Sequence, residues 1–184
     1  TMAMDGICIV ITPLVALMKD QVANLRQKGI KAAMIYSAMN RNEIIQTFDN
    51  CLYGNYKFLY ISPERIATDL FVKRITSLKV CLIAVDESHC ISQWGYDFRP
   101  SYLQIVRIRE LLPKVPILAL TATATPEVVD DIQEKLNFSA KNIFKKSFER
   151  QNLVYVVRHS EDKLSQLLHI LQKVRGSSVV YVRN

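Results

Sequence analysis

Glycine and proline are scarce in this chain: 5 Gly and 6 Pro among 184 residues. A collagen-like, low-complexity or disordered chain would carry far more of both. A globular core is expected instead, and 49% apolar residues can supply it. Long hydrophobic runs are also missing. The longest falls well short of the roughly 18 apolar residues of a membrane-crossing helix. The opening residues, TMAMDG, lack a basic stretch ahead of an apolar one, so no secretory signal is expected. Cysteine is confined to Cys8, Cys51, Cys81 and Cys90, and no two form a CxxC pair. A zinc site of that kind is not expected. Cys8 and Cys81 sit inside apolar runs and read as small core residues in a reducing compartment. A cytoplasmic protein without a membrane partner is the reading these absences favour.

Acidic residues are in the minority, 17 against 24 basic ones, which gives a net charge of +7. That balance weakly favours a polyanionic partner; the plainer reading is a solvated basic surface. The length allows one full domain and part of another.

Short apolar runs alternate with helical patterns. Ile7–Ile11 reads as a buried strand, followed by Thr12-Pro13 as a helix cap and a helix to about Gln27, ended by Gly29. A strand over 31–36, a helix over 41–52 and a strand over 58–61 follow. Next comes a Ser62-Pro63-Glu64-Arg65 capping turn, with one helix or two short ones over about 68–77. Beyond lie a strand over 80–85, a helix over 101–112, a strand over 117–120 and a helix to about Leu136, capped by Thr125 with Pro126 and Glu127 in its first turn. A weaker strand is expected over 142–145. No internal repeat is visible. The alternation predicts an α/β domain whose parallel sheet carries helices on both faces. Ligands of such sheets sit beyond the C-terminal strand ends. Thr12, Ser62, Asp86-Glu87 and Thr121-Ala122-Thr123 all fall there, which predicts one cleft.

The polar stretch 147–152 reads as a linker. A strand over 153–157, a helix over about 162–174 and a strand over 178–182 follow as one βαβ unit. So few residues cannot bury a core of their own. The division is therefore drawn at residues 1–146 and 147–184, with the second part the start of another domain.

The central stretch is VCLIAVDESHCISQWGYDFRP, residues 80–100. An apolar strand delivers two adjacent carboxylates, Asp86 and Glu87, and an aromatic-rich loop follows at once. Adjacent side chains leaving a strand diverge, so the two carboxylates can serve different partners.

These motifs, with VITPLVALMKDQV (10–22), LYISPER (59–65), LTATAT (120–125) and SFERQNL (147–153), resemble the RecQ family of superfamily 2 DNA helicases. The SQWGYDFRP loop discriminates best, because general DExH ATPases lack it. The resemblance implies a RecA-like first motor domain without its N-terminal phosphate-loop unit, and the truncated start of a second. It implies ATP and Mg2+ as cofactors, single-stranded and forked DNA as partners, and 3′-to-5′ unwinding in recombination or repair. A bacterial-type member would be nucleoid-associated, a eukaryotic one nuclear. Asp86 would hold Mg2+ through water. Glu87 would orient or deprotonate the attacking water. His89, Thr121, Thr123 and Gln93 would couple hydrolysis to DNA. Trp94 and Phe98 would stack on bases, and Arg99 would add phosphate or cation–π contact. Thr12 and Arg65 would touch the DNA backbone. Each has a plainer reading: a helix cap for Thr12, a satisfied loop residue for His89, loop packing for Trp94 and Phe98.

Three departures from the family pattern stand out. Ser88 replaces the usual Ala, with little effect expected. Tyr96 replaces a usual His. No GxxxxGK[ST] pattern or adenine-reading glutamine motif occurs in the sequence; in the family both lie upstream of the Ile7 strand. The 184 residues alone are therefore expected to be inactive as an ATPase and to self-associate through an exposed sheet edge or face. A zinc site of the family would lie outside this chain. The competing readings are a non-catalytic nucleic-acid-binding module and another superfamily 2 motor acting on RNA.

Overall fold

The computed structural model describes residues 1–95, 97–146 and 150–182. Tyr96 and the first three residues of the SFERQNL motif, with Arg183 and Asn184, lie outside them. The chain divides into two compact units, Thr1–Asn142 and Ile143–Asn184.

The first unit holds a five-stranded parallel sheet. Its strands are β1 (Ile7–Ile11), β2 (Ala32–Ile35), β3 (Phe58–Ile61), β4 (Val80–Val85) and β5 (Ile117–Ala119), in the order β2-β3-β1-β4-β5. The helices are α1 (Val15–Gln27), α2 (Arg41–Tyr53), α3 (Pro63–Ile66), α4 (Asp69–Ile75), α5 (Val106–Leu111) and α6 (Pro126–Lys135). Strands buried on both faces have no need of polar alternation, which is why β1 and β4 read as unbroken apolar runs.

One sheet face carries the larger core. Ile9, Ile11, Ile61 and Ile83 are fully covered there, beneath Phe48 of α2, Phe71 of α4 and Ile132 of α6. Each such side chain contributes about 1.5–3 kcal/mol by leaving water. On the opposite face Met18 and Val22 of α1 cover Cys8, Val10, Ala32, Tyr60 and Ala84. That cover is incomplete: Leu118 and Leu120 keep 43% and 46% of their surface exposed. The expectation of two covered faces therefore holds fully on one side only.

Local sequence explains the boundaries. Asn40 caps α2 with a reciprocal bond to Glu43. Thr125 accepts from the Val128 amide, with Pro126 in the first turn of α6. Gly6 enters β1 at φ +126, and a Cβ there would lie 2.4 Å from the Lys79 carbonyl oxygen, so no other residue fits.

The helix expected over 68–77 forms as α4, capped by Thr68, after the short α3 ends at Ile66. Another expected helix is broken. Residues 101–112 open as a 3-10 helix, Pro100–Ile105, before α5. Two caps also differ. Helix α1 starts at Val15 after Leu14, with no side-chain cap, so Thr12 does not cap it. Ser62 precedes α3 but makes no capping bond.

Among its described residues the second unit contains one helix, α7 (Lys163–Lys173), capped by Asp162, with no buried side chain. The strands expected over 153–157 and 178–182 do not form among the described residues, nor does the one over 142–145. The physical reason is the missing partner. A strand exists by ladder hydrogen bonds, and about 40 residues offer too little core to bring strands together.

Candidate functional site

Strand β4 ends beside β1, where the chain's connections reverse direction across the sheet. That is the switch point at which α/β sheets bind ligands. The Asp86 amide donates to the Ile11 carbonyl at 2.9 Å, which places Asp86 against the residue after β1, Thr12. Thr12 is fully buried. Its hydroxyl reaches Asp86 Oδ2 at 3.4 Å, and its amide donates to the Ile61 carbonyl at 3.3 Å. The expectation that Thr12 touches DNA is corrected accordingly: its hydroxyl and amide both point inward, and it orients Asp86. The other carboxylate oxygen, Oδ1, accepts the Glu87 amide at 3.0 Å.

Glu87 has left-handed backbone angles, φ 48 and ψ 43. A non-glycine residue in that region costs of order 1 kcal/mol or more. The turn is held by its neighbours: the Cys90 amide donates to the Glu87 carbonyl and the Ser88 amide to the Leu120 carbonyl, both at 2.9 Å. Glu87 Oε2 lies 3.3 Å from His89 Nδ1. The same nitrogen lies 3.0 Å from Thr121 Oγ1 and 3.3 Å from Thr123 Oγ1. Glu87, His89, Thr121 and Thr123, named separately along the sequence, thus meet at one nitrogen, and His89 is only 2% exposed.

Ser88 is also buried, at 1% exposure, and its hydroxyl has no hydrogen-bond partner among the described residues. Stranding a hydroxyl costs about 1–3 kcal/mol. Ser88→Ala is expected to raise stability by about 1 kcal/mol, read as a higher denaturant midpoint with unchanged slope. A lower midpoint would show that the hydroxyl is satisfied.

Tyr102 was missed by sequence reasoning. It sits on the 3-10 helix after the aromatic loop, fully buried, and its hydroxyl donates to the Asp86 carbonyl at 2.9 Å. Burial pushes its phenol pKa well up, so the hydroxyl keeps its proton. The available signal was spacing: Tyr102, Ile105 and Ile108 recur as one core stripe, and a phenol within it needs a buried acceptor.

The loop itself is tied to the carboxylate turn. The Arg99 amide donates to the Cys90 carbonyl at 2.9 Å, and the Gly95 amide to the Ser92 carbonyl at 3.1 Å. A Cβ on Gly95 would lie 2.7 Å from the His89 carbonyl oxygen, so the loop approaches that turn as closely as glycine allows. Trp94 is 79% exposed, Gln93 is exposed and Phe98 half-buried. Gln93 makes no hydrogen bond among the described residues and is not brought to the His89 cluster. Arg99 donates to Asp97 Oδ2 from Nε at 3.2 Å and from Nη2 at 2.8 Å. Those bonds hold the Asp97 carboxyl below its usual range and raise the Arg99 guanidinium. The Cys90 thiol is pushed up to about 11, chiefly by burial.

Arg65 is placed differently from expectation. Its Nε donates to the Tyr36 carbonyl, and its Nη2 to those of Ser37 and Met39. These donors are committed to the loop after β2, and the half-buried Arg65 therefore has a structural role there.

A parallel sheet with an acidic pair at its switch point, a buried histidine beside that pair and an adjoining aromatic loop is an α/β arrangement consistent with a RecA-like helicase domain. The family model described as DEAD/DEAH box helicase matches residues 2–132, and the chain belongs to that family. Among similar proteins, an ATP-dependent DNA helicase RecQ of Bacillus subtilis is 48% identical over 86% of this chain and 27% of that protein. The RecQ helicase of Haemophilus influenzae is 40% identical over 96% of this chain and 29% of its own length. A putative ATP-dependent RNA helicase of Acanthamoeba polyphaga mimivirus is 40% identical over 96% of this chain and 32% of its own. The chain thus spans between a quarter and a third of these relatives. No described helix is long and apolar enough to cross a membrane.

Proposed function

We propose that this chain is the greater part of the first motor domain, and the start of the second, of a RecQ-type DNA helicase. The whole protein would couple ATP hydrolysis to 3′-to-5′ strand separation on single-stranded and forked DNA, in recombination or repair, in the cytoplasm of a bacterium or the nucleus of a eukaryote. One observation carries the reading. The carboxylate pair and the exposed Trp94 belong to a single hydrogen-bonded segment, so DNA contact and nucleotide chemistry share one piece of backbone.

Asp86 offers carboxylate oxygens oriented by the Thr12 hydroxyl and the Glu87 amide. This all-oxygen donor set fits Mg2+ held through water. When bound, the ion neutralises phosphate charge. Glu87 positions and deprotonates the attacking water, and His89 with Thr121 and Thr123 fixes the Glu87 side chain. Trp94 and Phe98 stack on bases, with Gln93 on the same loop. The phosphate-binding pattern is not among these 184 residues, so hydrolysis is assigned to the longer protein. In that protein, single-stranded DNA is expected to stimulate Mg2+-dependent ATP hydrolysis many-fold, and forked DNA to be unwound. Absence of hydrolysis with intact DNA binding would favour the non-catalytic module. Stimulation by RNA but not DNA would favour the RNA-motor reading, which the mimivirus relative's name keeps in play.

The isolated 184 residues carry exposed Leu118 and Leu120 beside the outer edge of β5. Open edges and apolar faces pair with other copies. Sedimentation velocity is expected to show self-association that grows with concentration. A monomer throughout would refute this.

A further inference from the structure

The Arg99 guanidinium, offered above as a DNA contact, is not presented to solvent by itself. Two of its nitrogens bond one oxygen of Asp97, two residues before it. Both side chains remain about a third or more exposed, at 34% and 42%. Such a pair is weak, because water screens it, and it is within reach of a competing anion. A nucleic-acid phosphate is that kind of anion: it carries a full charge and matches the guanidinium fork as a carboxylate does.

Asp97 also faces inward. The same oxygen lies 3.9 Å from Cys90 Sγ, and ligand-capable atoms of His89, Cys90 and Asp97 all fall within 4.8 Å of one another. The negative charge of Asp97 is therefore felt at His89, the residue whose Nδ1 meets Glu87, Thr121 and Thr123. Loop and turn are stitched by the Arg99 amide on the Cys90 carbonyl and by Tyr102 on the Asp86 carbonyl. A change at Asp97 thus reaches the carboxylate turn over a few bonds.

We propose that Asp97 is a positioning residue that stands in for a DNA phosphate. It holds Arg99 while no nucleic acid is bound, and yields it when a backbone phosphate arrives. While it is paired, Asp97 holds the loop against the His89 turn; loss of the pair frees His89, and through it Glu87. No covalent bond changes; one ion pair is exchanged for another. This rests on the function proposed above.

The test uses the full-length protein and compares wild type, Asp97→Asn and Asp97→Glu. ATP hydrolysis is measured across a titration of single-stranded DNA. Asp97→Asn is expected to lower the half-stimulating DNA concentration several-fold and to raise hydrolysis without DNA several-fold. Asp97→Glu restores both values toward wild type. A general loss of structure would move neither in this pattern. Wild-type stimulation combined with an Asp97→Asn profile within twofold of it would overturn the inference and leave the functional reading intact. Weaker DNA binding by Asp97→Asn would overturn it too, since Asp97 would then be holding Arg99 in its DNA-binding pose. A wild type unmoved by any DNA would overturn the functional reading, and the inference with it.

Discussion

Glu87→Gln in the full-length protein is expected to lower kcat for ATP hydrolysis by about 10²–10⁴-fold, the usual contribution of a positioned general base. The substitution keeps the size of the side chain and its contact with His89, and removes the charge. Nucleotide affinity is expected to change little, because the proposed binding groups for phosphate and metal lie elsewhere, at Asp86 and outside these residues. The measurement is steady-state hydrolysis with saturating DNA, paired with equilibrium binding of a labelled nucleotide. A variant that hydrolyses within threefold of wild type would remove Glu87 from the chemistry. One that loses binding as well as turnover would show that the side chain supports the fold of the turn, where its backbone is left-handed.

The largest loss of stability is expected at Tyr102. Truncation to alanine removes a fully buried ring and a hydrogen bond at once. Aromatic-to-alanine changes in cores cost about 3–5 kcal/mol. Tyr102→Phe keeps the ring and strands the Asp86 carbonyl, for about 1–3 kcal/mol. Denaturant unfolding of the 184-residue chain measures both, at concentrations below the onset of self-association. The two variants separate packing from hydrogen bonding. If Tyr102→Phe costs nothing, the phenol is not holding Asp86, and the stitch between loop and carboxylate turn reduces to the Arg99 amide.

Legibility differed by element for physical reasons. The strands of the first unit were readable because β1, β3 and β4 are buried on both faces and so leave unbroken apolar runs. The carboxylate pair was readable because it ends such a run. The side-chain caps at Thr12 and Ser62 were not, because a Ser/Thr-Pro dipeptide signals a turn without saying where its hydroxyl goes. At Thr12 the hydroxyl left the helix for Asp86, 74 residues away in sequence. The structural role of Arg65 was hidden for the same reason: charge and position in a motif do not reveal three carbonyls brought in by the loop after β2. The bond from Tyr102 to Asp86 and the pairing of Arg99 with Asp97 were not legible, because each depends on a tertiary contact or a side-chain choice. The strands of the second unit were patterned correctly for burial, yet pattern creates a strand only where a partner strand exists.

The left-handed turn at Glu87 sets two demands against each other. Backbone geometry there would be best met by glycine, which reaches that region without strain. The proposed chemistry requires a carboxylate. A selection that scored folding alone would therefore drift away from glutamate at this position and improve thermostability as it did so. A glutamate at this left-handed position is, on the proposed mechanism, a cost carried for turnover, and engineering for robustness should leave residue 87 untouched.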